Sequence, residues 1–291
     1  MPRLPAFQGG ARRPVLTLSI VVGVLAGGCS STPAPDPGGA AGQAMQPSLG
    51  ELVARATIVD LTHTFERDTL VWPTSIAFRL ETVFDGTTPG GWHYAANDIH
   101  TTEHGGTHLD APIHFAANHH ATDEIPIARL VGPVVVVDVS ERAGANADYL
   151  ITAEDLKQWE AQHGTIERDS RVLIRTGWSA RWPNAERYLG TALRGDAGVA
   201  QLRFPGLHAE AAAFLARERR VAAVGIDTAS LDHGASKTFE AHRILADANI
   251  PGFENLTNLE RVPARGAVVM ALPMKIGGGS GGPLRAIALV P

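Results

Sequence analysis

A chain of 291 residues, 44% of them apolar, is long enough to bury one sizeable core in a single domain or two small ones. The formal charge of −5 comes with no basic block, which excludes a nucleic-acid surface, because phosphate binding needs clustered Lys and Arg. Cys29 is the only cysteine, so the folded part holds neither an internal disulfide nor a catalytic thiol.

Arg3, Arg12 and Arg13 precede an apolar run from Val15 to Ala26, and small residues follow up to Cys29. A basic start, a short apolar stretch and a small-residue cut predict a signal peptide over residues 1–28, too short for a membrane span. Leu25-Ala26-Gly27-Gly28-Cys29 resembles a bacterial lipobox, with Ala26 where Leu is usual, and predicts lipidation of Cys29. The plainer alternative is an ordinary secretory cut that lies near a cysteine. Arg12-Arg13 is a faint twin-arginine pattern, or only the positive charge that any leader needs. The expectation is an exported protein, periplasmic or anchored to the bacterial cell envelope, that meets the membrane only through its lipid. Removing the leader deletes three arginines and no acids, and an acidic body stands off an anionic lipid surface.

Residues 30–48 are rich in Pro, Gly and Ala and read as a flexible tether. No repeat or second linker follows, so 49–291 reads as one domain. Residues 56–61 and the β-branched run over 131–139 predict buried strands. Thr152 caps a predicted helix through His163, closed by Gly164. A strand is expected over 171–175, an alanine-rich helix over 208–220 and a strand over 221–226. A helix over 237–248 places Phe239, Ile244 and Leu245 at its apolar positions, and strands over 267–272 and 286–290 close the chain. Strands alternating with helices make a mixed α/β fold.

The informative stretch is His104-Gly105-Gly106-Thr107-His108-Leu109-Asp110-Ala111-Pro112-Ile113-His114. Gly105-Gly106 argues against a helix and for a loop bending into a strand. On a strand, His108 and Asp110 share one side. Pro112 stops the pairing and turns His114 away. Imidazole with carboxylate and no thiolate suits Zn²⁺ or Mn²⁺, and three protein ligands (His104, His108, Asp110) leave positions open for water. A metal there acidifies water and polarises a carbonyl, and His114 is placed to act as general acid or base. Phe65, Trp72 and Trp92, with Pro73 and Phe78 nearby, are candidates for an apolar substrate pocket, or for ordinary packing. Asp227 and Asp232 flank a strand end, where Asp227 serves either a site or a turn cap. The glycine run over 277–282 offers backbone amides to an oxyanion but is no phosphate loop.

The eleven-residue motif resembles the hallmark of the cyclase-type metal hydrolases, a family that includes bacterial kynurenine formamidase and isatin hydrolase. The likeness extends to Gly225-Ile226-Asp227-Thr228, His242, Phe253-Glu254-Asn255-Leu256 and Gly278-Gly279-Ser280-Gly281-Gly282-Pro283-Leu284-Arg285. It implies a swivelling β/β/α-type single domain with a mixed sheet that forms a homodimer. It also implies a first metal on His104, His108 and Asp110, a second on Asp110, His242 and Glu254, and His114 as acid/base. The implied reaction is hydrolysis of a C–N amide bond in an aromatic small molecule by metal-activated water, with one or two Mn²⁺ or Zn²⁺ ions. Trp72-Pro73, Gly177-Trp178 and the glycine-rich tail lean toward the isatin hydrolase branch over the arylformamidase branch. The competing reading is a non-catalytic surface lipoprotein that captures metal or a small ligand, for which an acid/base beside an open site has no use.

Overall fold

The run Val134-Val135-Val136-Val137 is buried on both faces, which places it in the middle of a covered sheet. The computed structural model describes residues 46–291. The expectations for the leader, for Cys29 and for the tether up to residue 45 lie outside the described residues. Residues 47–291 form one compact unit, and among the described residues no helix is long and apolar enough to cross a membrane.

In chain order the strands are β1 (Thr57–Asp60), β2 (Arg79–Thr87), β3 (His93–His100), β4 (His108–Asp110), β5 (Val131–Asp138) and β6 (Leu150–Ile151). They continue with β7 (Arg171–Arg175), β8 (Gly206–Leu207), β9 (Ala223–Ile226), β10 (Gly252–Glu254), β11 (Ala267–Pro273) and β12 (Gly281–Val290). The main sheet runs β1-β12-β11-β5-β7-β9-β10-β4, and a further pairing of β12 with β4 closes it into a barrel. β5, β7, β9 and β10 are parallel neighbours, while β4, β11 and β12 pair antiparallel, so the sheet is mixed. β12 pairs with β4 through Gly281–Pro283 and with β1 through residues 287–290.

Alternation along β5 divides the interior. Val134 and Val136 join Leu109, Phe253, Val269, Ala286 and Ala288 in one cluster. Val135 and Val137 face the other way, against Leu156, Trp159, Phe214 and Leu245 from the covering helices.

Three predicted helices form with changed limits. Ala153–His163 starts at a capping box in which Thr152 and Asp155 exchange hydrogen bonds, and ends at Gly164. The alanine-rich segment is α-helical over Ala209–Ala213 and widens into a π turn over Phe214–Arg219. The third helix runs only over Glu240–Asp247. Its start is set from outside, because Asp232 accepts hydrogen bonds from the backbone N–H of Ala241 (3.0 Å) and His242 (3.1 Å). Phe239 therefore falls before the helix, with φ +48°.

Candidate metal centre

Register in the barrel assembles the site. β4 lies between β10 and β12, with Glu254 opposite His108 and with Gly252 and Gly281 flanking Asp110. The glycine at 281 is obligatory: a Cβ there would lie 2.6 Å from His104 Cε1 and 2.6 Å from the carbonyl oxygen of Leu109. Gly106, at φ +59°, makes the bend that brings His104 back over β4.

Asp110 is the hub. Its Oδ1 lies 2.7 Å from His104 Nδ1 and 3.2 Å from His108 Nε2, and its Oδ2 lies 3.0 Å from His242 Nε2. His242 Nε2 is also 2.9 Å from Glu254 Oε1, and His108 Nε2 is 3.4 Å from Glu254 Oε2. Two triads that share Asp110 can each hold an ion: His104, His108 and Asp110, and Asp110, His242 and Glu254.

The far side of each ring is occupied, which aims the remaining nitrogen inward. His108 Nδ1–H donates to the carbonyl of Gly106 (2.9 Å). His242 Nδ1–H donates to Asp232 (2.6 Å). His104 Nε2–H donates to Ser280 Oγ (2.9 Å), whose hydroxyl donates to Glu103 (2.6 Å). Carbonyl and carboxylate partners of this kind fix the tautomer and raise the basicity of metal-ligating imidazoles.

The charge balance also calls for a cation. Burial alone would push His108 down, but hydrogen bonds to Asp110 and Glu254 outweigh it and hold its pKa up at about 10. Burial works against His242 in the same way, and Asp110, Asp232 and Glu254 hold it well above the ordinary range. Burial alone would raise Asp110, yet the three imidazoles keep it well below the usual carboxylate range. The pocket thus retains protons on buried imidazoles to offset buried carboxylates, and a divalent ion answers the same demand. The donor set fits a divalent metal.

His114 follows the turn Pro112–His114, and its ring stacks on His104 with centroids 3.9 Å apart. One edge stays open to the cavity, while loss of water against its neighbours pushes its pKa down to about 4. It is a neutral base at pH 7. Beside it lies a cavity of about 270 Å³ whose apolar wall includes Leu70, Trp72, Phe115, Leu189 and Phe239. Trp72 reaches it because the preceding segment is pinned to the glycine bend, by the Val71–Gly105 bridge and the Gly106 N–H to Leu70 bond.

Four expectations are corrected. Phe65 lies beneath the bend, where it would meet a Cβ at Gly106 at 2.6 Å, and packs edge-on against Phe78 rather than lining the cavity. Trp92 sits next to β3, 63% exposed, away from the cavity. Asp227 ties strand ends together, accepting from Thr176 N–H (2.8 Å), Thr176 Oγ1 (2.6 Å) and Gly177 N–H (2.8 Å). The glycine tail has few free amides. Gly278 N–H donates to Asp123, Ser280 N–H to Glu103 and Gly279 N–H to Ile276, while Gly281 and Gly282 pair with β4. Phe115 and Phe239 were missed. Adjacency to His114 and a three-residue spacing from His242 were the available signals.

A family model described as "Putative cyclase" matches residues 59–233. An isatin hydrolase of Roseibium aggregatum is 35% identical over 209 residues, 69% of this chain and 77% of that protein. A kynurenine formamidase of Salinibacter ruber is 28% identical over 245 residues, 79% of this chain and 96% of that one. The solved structure of isatin hydrolase A from Ralstonia solanacearum matches with a TM-score of 0.75 at 33% identity, over 84% of this chain and 98% of that one.

Proposed function

The chain belongs to the cyclase family, and from that premise we propose a metal-dependent amidohydrolase that cleaves a C–N bond in an aromatic amide. The observation that carries this reading is Asp110, buried and shared between two ligand triads, with a neutral His114 and an aromatic-walled cavity beside it. A cyclic, isatin-type amide is the preferred substrate, supported by the higher identity to isatin hydrolase than to kynurenine formamidase. N-formyl anilides come second.

Bound ions, Mn²⁺ or Zn²⁺ by the donor types, polarise the amide carbonyl and acidify water. His104, His108 and Asp110 hold one, and Asp110, His242 and Glu254 hold the other. His114 accepts the proton of the attacking water and returns it to the departing nitrogen as the carbonyl carbon gains oxygen and the C–N bond breaks. Trp72 and Phe115 take the aromatic ring and exclude solvent.

The same reading extends to assembly and location. β2 and β3 pair only with each other among the described strands, and Leu80, Val83, Phe84, Tyr94 and Ile99 are exposed on them. A lone hairpin is marginal in water, and clustered exposed apolar side chains mark interfaces, which supports a homodimer formed through this arm. The leader ending at Cys29 supports export with a lipid anchor, hence a scavenging or detoxifying amidase.

The test is hydrolysis of isatin and N-formylkynurenine by residues 46–291, stripped of metal and then given Mn²⁺ or Zn²⁺. Metal-dependent turnover of either supports the reading and chooses the branch. Metal binding without turnover of either contradicts it.

A further inference from the structure

Seven non-glycine residues among those described have positive φ, and five of them are Asn or Asp, whose short side chains tolerate that conformation. Phe239 is the aromatic exception, at φ +48° and ψ +47°. It occupies the N-cap of the Glu240–Asp247 helix without making a side-chain cap, a position that Ser, Thr, Asp and Asn favour. Full burial does not compensate, since the ring is only half-buried and forms part of the cavity wall. Strained backbone held by its surroundings gathers where it aims a functional group.

The ring meets two others around one space. Phe239 lies 5.4 Å from Phe115 and 6.2 Å from Trp72, and Phe115 lies 4.6 Å from the ring of His242. The three rings come from separate segments, and they converge beside the proposed metal ligands. The cavity of about 270 Å³ lies at the small end for ligand pockets, so it admits one flat ring system and little more.

We propose that Phe239 is a specificity-determining residue whose left-handed backbone aims its ring into the cavity to clamp, with Phe115 and Trp72, the flat ring of the aromatic amide. The proposal rests on the amidohydrolase reading for the identity of the substrate. Its geometry requires only that a flat aromatic acid or amide binds there.

The experiment measures KM, kcat and melting temperature on isatin for the wild type, Phe239→Gly and Phe239→Tyr, all metal-loaded. Phe239→Gly is expected to raise KM about three- to tenfold, the range for losing one aromatic pair. It should largely retain kcat, because the clamp acts on bound substrate and transition state alike. Its melting temperature should not fall, since glycine relieves the backbone, and Phe239→Tyr should restore KM. An unchanged KM in Phe239→Gly, or a lowered melting temperature with KM intact, overturns the clamp and makes Phe239 a packing residue. If the wild type does not turn over isatin, the activity reading fails separately, and calorimetry with anthranilate decides the clamp. Weaker anthranilate binding in Phe239→Gly supports it, whereas equal binding, or none to the wild type, overturns it.

Discussion

Asp110 and His242 stand 132 positions apart in the chain and 3.0 Å apart in space. β4, which carries Asp110, pairs with β10, and the helix bearing His242 is held at its start by Asp232. One carboxylate is thereby shared between imidazoles from two distant segments, and the centre depends on barrel closure as much as on its local motif.

Replacing the hub tests that dependence. Asp110→Asn removes a charge and one ligand oxygen from both triads at once. Metal content measured by plasma emission should collapse, and turnover should fall by more than the about 100-fold expected from losing an outer hydrogen-bond partner. Retention of both ions would deny Asp110 its shared role.

Asp232 touches no cavity atom, yet it orients His242 by a 2.6 Å hydrogen bond and caps the helix beneath it. Asp232→Asn keeps an oxygen for the backbone amides and loses the charge facing the imidazole. Metal affinity, titrated against a competing chelator, should weaken about 10–100-fold. Unchanged affinity would mean that the helix alone holds His242.

Gly281→Ala should drive a methyl group into His104 and the Leu109 carbonyl. Urea unfolding of the metal-free protein should show a loss of about 1–3 kcal/mol, as for other overpacked sites, together with reduced metal content. Gly277→Ala is the control, since a Cβ there meets nothing within 4 Å. Equal behaviour of the two variants would reject the steric argument.

His63 supplies a pH prediction away from the metal ligands. Its ring stacks on Trp182 at 4.3 Å, and burial pushes its pKa from 6.5 down to about 4. Between those values the unfolded chain binds the proton and the folded one does not, so stability falls as pH drops from about 6.5 to about 4. His63→Phe keeps the stack and removes the titration. The urea midpoint of the wild type, relative to this variant, should be lower at pH 5 than at pH 7.5. A constant difference would show that His63 is not held neutral.

The sequence is legible where chemistry is local. His104, His108, Asp110 and His114 share one loop, strand and turn, so spacing and the Gly and Pro signals were sufficient to group them. The buried strands β5, β7 and β11 and the capped helix Ala153–His163 announce themselves by β-branched runs and a capping box. His242 and Glu254 came only through family resemblance, since nothing in a helix histidine reports a strand pairing made elsewhere. Phe65 and Trp92 were misplaced for the converse reason. Aromatic character marks a side chain as wanting cover, but the covering element is a tertiary fact. Asp232 and Phe239 depend on where a helix begins, and here a remote carboxylate sets that point.

His114→Ala tests the central claim most directly, with metal content and isatin turnover measured on the same preparation. His114 belongs to neither ligand triad, so the variant should retain the wild-type metal content, while kcat falls about 10²–10⁴-fold, the range for a lost general acid or base. Wild-type turnover with full metal would contradict the assignment of His114 as the proton carrier. Loss of the metal itself would contradict the separation of ligands from acid/base on which the account rests.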